Sequence, residues 1–305
     1  MVFHWRKRGA GDVAPSEPID REESAAARPK IGIALGSGAG RGWAHIGILR
    51  ALKEAGIEPD VIAGTSVGAL AGGAYAADRL DELEDWATGI TRRRMFGFLD
   101  FRFWSNGLIG GGRLAEALKQ NFGATAIESL PVRFAAIATE VGTGHEIWLT
   151  RGSLVDALRA SYAMPGIFPP VKIAGRWLMD GAVVNPIPVS AARALGGRVV
   201  IAVNLNADLF GRGTVIQDST IHPAPETVAN RPRRFSAVMI DAFNISQDRI
   251  SRSRLAGDPP DLTIAPKLGH IGLFEFHRAE EAIKIGEEAA KRALPDITAA
   301  IAALG

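Results

Sequence analysis

Short unbroken apolar blocks alternate along this chain with longer stretches in which apolar residues recur every three or four positions. The first block, Ile31-Gly32-Ile33-Ala34-Leu35, reads as a buried strand. A helix is predicted over 43–55, where His45, Ile48, Leu49 and Leu52 share one face and Gly56 is the stop. His45 is therefore read as a packed helix residue and not as a catalyst. Pro59-Asp60-Val61-Ile62-Ala63 is a second strand, and the small apolar run 67–77 a second helix. Further strands are predicted at 132–139 and 146–149. A helix follows over 153–164, with Ser153 and Asp156 as a capping pair and Pro165 as its end. Residues 199–204 read as a strand, 236–255 as a helix and 262–265 as a late strand. The final helix, 278–294, carries Glu280–Lys284, Glu287–Lys291 and Glu288–Arg292 at i,i+4 spacing. No internal repeat is present. Alternating strands and helices predict an α/β fold of three layers, α/β/α, around a mainly parallel central sheet.

Residues 1–29 break this pattern. They are rich in Pro, Ala and charge, without apolar periodicity, and are expected to form a disordered tail. One domain is expected over 30–295, containing a polar, Pro-rich mobile loop at 206–234, with 296–305 as a C-terminal tail. With 47% hydrophobic residues the chain can fill a large core. The 35 Lys and Arg against 33 Asp and Glu leave a net charge of +2, too small to argue for a nucleic-acid partner. The absence of cysteine excludes disulfides, thiolate metal sites and a cysteine nucleophile, and fits a cytoplasmic location. The first residues lack the apolar run of a signal peptide. No stretch has the length and apolarity of a spanning helix, so membrane contact is expected to be peripheral at most.

Three segments carry candidate chemistry. Gly64-Thr65-Ser66-Val67-Gly68 joins a predicted strand to a predicted helix, as a nucleophile elbow does: the tight turn projects the serine hydroxyl beyond the sheet, and side chains at Gly64 and Gly68 would clash. Gly36-Ser37-Gly38-Ala39-Gly40-Arg41-Gly42 lies between the first strand and first helix, where small residues let amides converge on an anion. The dinucleotide pattern G-x-G-x-x-G fails in every register, since Arg41 or Trp43 stands at the last position, and no Gly-Lys-Ser/Thr follows. The anion preferred is therefore the oxyanion formed when a serine attacks an ester, where such donors contribute about 3–4 kcal/mol. Asp180-Gly181-Ala182 is a turn aspartate alone and a candidate general base once paired with Ser66.

In this order, the three segments resemble the patatin-like phospholipases, and Gly40-Arg41-Gly42-Trp43-Ala44-His45-Ile46-Gly47 is similar to their bacterial branch related to neuropathy target esterase. The resemblance covers about 30–294. It implies a patatin-like variant of the hydrolase fold and a Ser-Asp dyad, with Ser66 as nucleophile and Asp180 as base. It further implies an oxyanion hole from the backbone of Gly38, Ala39 and Gly40, near Arg41. The substrate implied is a phospholipid or lysophospholipid ester, cleaved through an acyl-enzyme without metal or cofactor. The chain departs from the usual G-G-G-x-R-G loop: Ser37-Gly38-Ala39 stands in the three-glycine stretch, although its amides remain.

Phe96, Phe98, Phe101, Phe103 and Trp104, preceded by Arg92-Arg93-Arg94, suit a lid or lipid entrance. Met164-Pro165-Gly166-Ile167-Phe168-Pro169-Pro170 is expected to wall the pocket, and Asn185-Pro186-Ile187-Pro188 to brace the turn of Asp180. Three alternatives stand beside the dyad hydrolase. One is a nucleotide-binding protein using the glycine loop. Another is a non-catalytic lipid-binding or regulatory protein on a hydrolase fold. The third is an esterase for small esters with a Ser66–His–Asp180 triad completed by His270 or His277.

Overall fold

The computed structural model describes residues 28–90, 112–209 and 235–304. Eight strands form one sheet: β1 (Ile31–Leu35), β2 (Val61–Thr65), β3 (Arg133–Glu140), β4 (Glu146–Leu149), β5 (Val171–Ile173), β6 (Arg176–Asp180), β7 (Val199–Val203) and β8 (Leu262–Ile264). The order is β5-β6-β3-β2-β1-β7-β8, with β4 also paired to β3. The run β3-β2-β1-β7-β8 is parallel throughout, whereas β4 and β6 join β3 antiparallel and β5 joins β6 likewise. β1, β2 and β7 are buried at every residue, as parallel strands covered on both faces must be.

The helices are α1 (Ala44–Glu54), α2 (Val67–Ala76), α3 (Leu80–Thr88), α4 (Gly112–Phe122), α5 (Leu154–Ser161), α6 (Val189–Ala194), α7 (Phe235–Gly257) and α8 (Ala279–Leu304). Alternate strand residues divide the core. Ile33, Leu35, Ile62 and Phe134 pack with α1, α2, α5 and α8, while Ala34, Ala63, Ile137 and Ala202 pack with α6. This is the three-layer, mainly parallel arrangement expected. Because β1 lies between β2 on one side and β7 on the other, the loops leaving the carboxyl ends of β1 and β2 open onto a topological switch point, where open α/β sheets bind ligands.

Two expectations are corrected. The last helix does not give way to a tail at 296; it runs through Pro295 to Leu304. Proline removes one helical hydrogen bond, but Ile297 beyond it is fully buried and Leu294 and Ile301 pack on the same core, so the apolar stripe holds the helix together. Helix α5 ends at Ser161, four residues before Pro165, where the backbone leaves the helical ladder: the Met164 amide donates to the Tyr162 carbonyl and the Ala163 carbonyl accepts from the Asp180 amide. The aromatic run 96–104, the tail 1–27 and loop residues 210–234 lie outside the described residues. Among the described residues no helix is long and apolar enough to cross a membrane.

Candidate active site

Ser66 stands between β2 and α2 with φ 58° and ψ −123°. A non-glycine residue in this region is strained by about 1–3 kcal/mol, and its surroundings show what holds it. The Ser66 amide donates to Ser161 Oγ at 2.9 Å, and that hydroxyl donates to the Ile137 carbonyl at 2.6 Å. The flanking glycines leave the room the turn needs. A β-carbon would stand 2.5 Å from Ala69 Cα at Gly64 and 2.2 Å from the Leu35 carbonyl at Gly68. One at Gly181 would stand 2.3 Å from the Ile137 carbonyl, so the turn after Asp180 is packed as tightly as the elbow.

The structure brings Ser66 and Asp180 together. Ser66 Oγ donates to Asp180 Oδ2 at 2.7 Å, and the Ala182 amide donates to Asp180 Oδ1 at 2.8 Å. Asp180 is completely buried, and burial pushes its pKa up to about 7 against the pull of those two hydrogen bonds. A carboxylate with this affinity for protons, touching a hydroxyl, can take its proton near neutral pH. The surrounding bonds fix the pair. Thr139 Oγ1 donates to the Asp180 carbonyl, the Asp180 amide donates to Ala163, and the Asn185 amide donates to Gly181. Thr65 Oγ1 donates to the Asn185 carbonyl, tying the elbow to the segment expected to brace Asp180.

The glycine loop divides into two parts. The amides of Gly40 and Arg41 donate to the carbonyls of Leu273 and Gly38. Among the described residues the amides of Gly38 and Ala39 have no such acceptor, and Ala39 lines the same cavity as Ser66. Ala39 sits at φ 45°, in the left-handed region that a glycine would enter without strain. The Arg41 side chain turns away: it is buried, with Nε donating to the Ile271 carbonyl at 2.8 Å and Nη1 to Asn206 Oδ1 at 3.2 Å. Beneath the loop, His45 Nε2–H donates to the Gly36 carbonyl at 2.7 Å. Burial lowers its pKa to about 4, so it is neutral at ordinary pH, as suits a packed residue.

Asp180's two oxygens face Ser66 and Ala182, and no histidine among the described residues bonds to them. His270 is exposed and paired through Nε2 to Glu281, and His277 lies in a short 3-10 turn before α8. Neither completes a triad. Replacing His270 by alanine is expected to change kcat by less than threefold in a steady-state ester assay; a hundredfold loss would restore the triad reading.

The Ser66 hydroxyl opens onto a cavity of about 110 Å³. Met164, Ile167 and Phe168 wall it, as the proline-flanked run predicts, and Val67, Leu70 and Tyr162 continue the wall. Trp43, Trp86, Phe274 and Phe276 complete it, with Trp43 edge-on to Trp86 at 5.7 Å and to Phe276 at 6.2 Å. Sequence reasoning missed the role of Ser161 and the wall residues 274 and 276. The only local signal for the latter is a pair of aromatics two residues apart in a glycine-bounded loop. Among the described residues no cluster of His, Asp and Glu could hold a metal.

The model of the patatin-like phospholipase family matches residues 33–193, more than half of the chain, spanning the glycine loop, the elbow and Asp180. The chain belongs to the patatin-like phospholipase family. Its relatives there include the uncharacterized NTE family protein Mb1092c of Mycobacterium bovis, 32% identical over 87% of this chain and 91% of that protein. Mouse patatin-like phospholipase domain-containing protein 7 is 35% identical over 58% of this chain and 14% of its own length. Among solved structures, VipD of Legionella pneumophila aligns with TM-score 0.47 at 13% identity, over 88% of this chain and 67% of that one. Family membership implies hydrolase chemistry on lipid esters.

Proposed function

We propose that the protein is a serine lipid acyl hydrolase that cleaves carboxylic esters of phospholipids or lysophospholipids through a Ser66–Asp180 dyad. The observation that carries this reading is the 2.7 Å hydrogen bond to a fully buried Asp180 from Ser66, which itself lines an apolar cavity. Asp180 takes the proton as Ser66 Oγ attacks the ester carbonyl. The tetrahedral oxyanion is met by the amides of Gly38 and Ala39, which have no backbone acceptor among the described residues, and the positive end of α2 adds to their field. Asp180 then returns the proton to the leaving alcohol, and activates the water that releases the acyl group. The apolar walls exclude bulk water and accept the acyl chain. The enzyme works without a cofactor and meets its substrate by peripheral contact with a lipid surface.

The test is intact-protein mass spectrometry after exposure to an alkyl fluorophosphonate. One adduct is expected on the wild type, and none on Ser66→Ala over the same time. An unlabelled, folded wild type in the presence of a lipid interface would favour the non-catalytic lipid-binding alternative.

A further inference from the structure

Three hydrogen bonds zip the glycine loop to a segment distant in sequence. Gly40 N–H donates to the Leu273 carbonyl at 2.8 Å, Arg41 Nε–H to Ile271 at 2.8 Å, and Trp43 Nε1–H to Phe276 at 3.1 Å. The fit is close, because a β-carbon at Gly40 would stand 2.9 Å from the Leu273 carbonyl. Arg41 Nη1 adds a bond to Asn206, whose own side-chain amide reaches the Ser37 carbonyl at 3.3 Å. Asp208, which offsets the burial of the Arg41 guanidinium, accepts from the Gly269 amide. The zipped segment carries Phe274 and Phe276 into the cavity that Ser66 lines.

From this arrangement we infer that residues 268–276 are the acyl-selecting wall of the Ser66 cavity, with Arg41 acting as the positioning residue that clamps this wall to the glycine loop. The inference rests on the proposed acyl chemistry at Ser66. The charge of an arginine beside an oxyanion loop suggests an electrostatic role at the reacting oxygen. Here the geometry opposes it, since a guanidinium buried among the Ile271 carbonyl, Asn206 and Asp208 faces the wall. One rigid fork bonds the wall at Ile271 and braces itself on Asn206, an arrangement that a lysine cannot reproduce. The amides of Gly38 and Ala39 then share a rigid body with Phe274 and Phe276. The atoms that meet the oxyanion and those that meet the chain are set together.

The experiment has two arms. In the first, kcat/KM is measured on p-nitrophenyl esters from acetate to dodecanoate. Phe274→Ala and Arg41→Lys are each expected to lower the long-to-short ratio about tenfold, and Asn206→Ala about threefold. In the second, straight-chain fatty acids titrate the tryptophan fluorescence of Ser66→Ala, with and without Phe274→Ala or Asn206→Ala. Trp43 and Trp86 report from the cavity wall, and the rise of affinity with chain length is expected to flatten. This arm reads the wall without turnover, so a wild type that hydrolyses nothing would sink the dyad and leave the wall open to judgement. An Arg41→Lys protein near wild type, beside an Arg41→Met protein equally impaired on every chain length, would place the charge at the reacting centre and overturn the clamp. If the Arg41 variants do not fold, an unchanged chain-length dependence in both Phe274→Ala and Asn206→Ala overturns it instead.

Discussion

Asp180→Asn is expected to lower kcat by about a thousandfold with KM nearly constant, the scale of a lost general base. The carboxamide keeps the size of the carboxylate, and its oxygen can still accept from Ala182. Towards Ser66, however, it presents an N–H where the proton must go. In the wild type the rate should rise tenfold per pH unit below about 7 and level off above it, because only the ionised carboxylate is a base and its pKa is raised to about 7. That rise should disappear in Asp180→Asn. Retention of more than a tenth of wild-type kcat would mean that another group takes the proton.

The same residue makes a stability prediction of opposite sign. Burial lifts the Asp180 pKa from 3.8 to about 7, so the folded protein holds a proton that the unfolded chain has already released. Its contribution to stability is present below about 4, declines as pH rises through the interval, and is fully lost above about 7. The difference is roughly 4 kcal/mol for a group so completely buried. Asp180→Asn should therefore melt higher than the wild type at pH 8, with the gap closing as the pH falls towards 4. A gain in Tm beside a loss in rate is the signature of a charge kept in an apolar place for its chemistry. A structural aspartate would show the reverse.

The parts of this site legible from sequence are those whose chemistry is local. A serine at positive φ between a strand and a helix needs glycine at 64 and 68, so the motif is written into five adjacent residues. Buried parallel strands likewise show as unbroken apolar runs, and β1, β2 and β7 fall within a residue or two of expectation. What was not legible depends on contacts across the chain. Ser161 reads as the end of an ordinary amphipathic helix, and its bond to the Ser66 amide spans 95 positions. Arg41 reads as part of an oxyanion loop, but its partners lie 165 and 230 residues away. The helix end expected at 294 failed for a related reason: the sequence cues for a helix end are local, whereas the burial of Ile297 against the core is not. Helices α3 and α4 carry no chemistry to draw attention, although both have an apolar face that packs on the core.

Gly47→Ala and Gly286→Ala are each expected to cost about 3 kcal/mol of stability, the upper part of the usual overpacking range. Helices α1 and α8 cross with their backbones in contact. A β-carbon at Gly47 would stand 2.0 Å from the Ile283 carbonyl, and one at Gly286 would stand 2.1 Å from the Ala44 carbonyl. The obstacle on each side is backbone, so no side-chain rotation relieves it and the helices must separate. Alanine's better helix propensity, worth about 1 kcal/mol, offsets only part of this. In a thermal melt the loss corresponds to about 6–12 °C for a domain of this size. Gly257→Ala is the control, since its β-carbon meets nothing within 4 Å and its backbone is ordinary. If Gly47→Ala proves as harmless as the control, the helix contact is not as tight as it stands here. The consequence reaches the site, because α1 begins at Ala44, directly after the glycine loop, and Gly42 admits no β-carbon within 2.1 Å of Val67 beside Ser66. Separating α1 from α8 moves that loop relative to the elbow, so fluorophosphonate labelling of Ser66 should slow in Gly47→Ala at temperatures well below its Tm, and should not slow in Gly257→Ala.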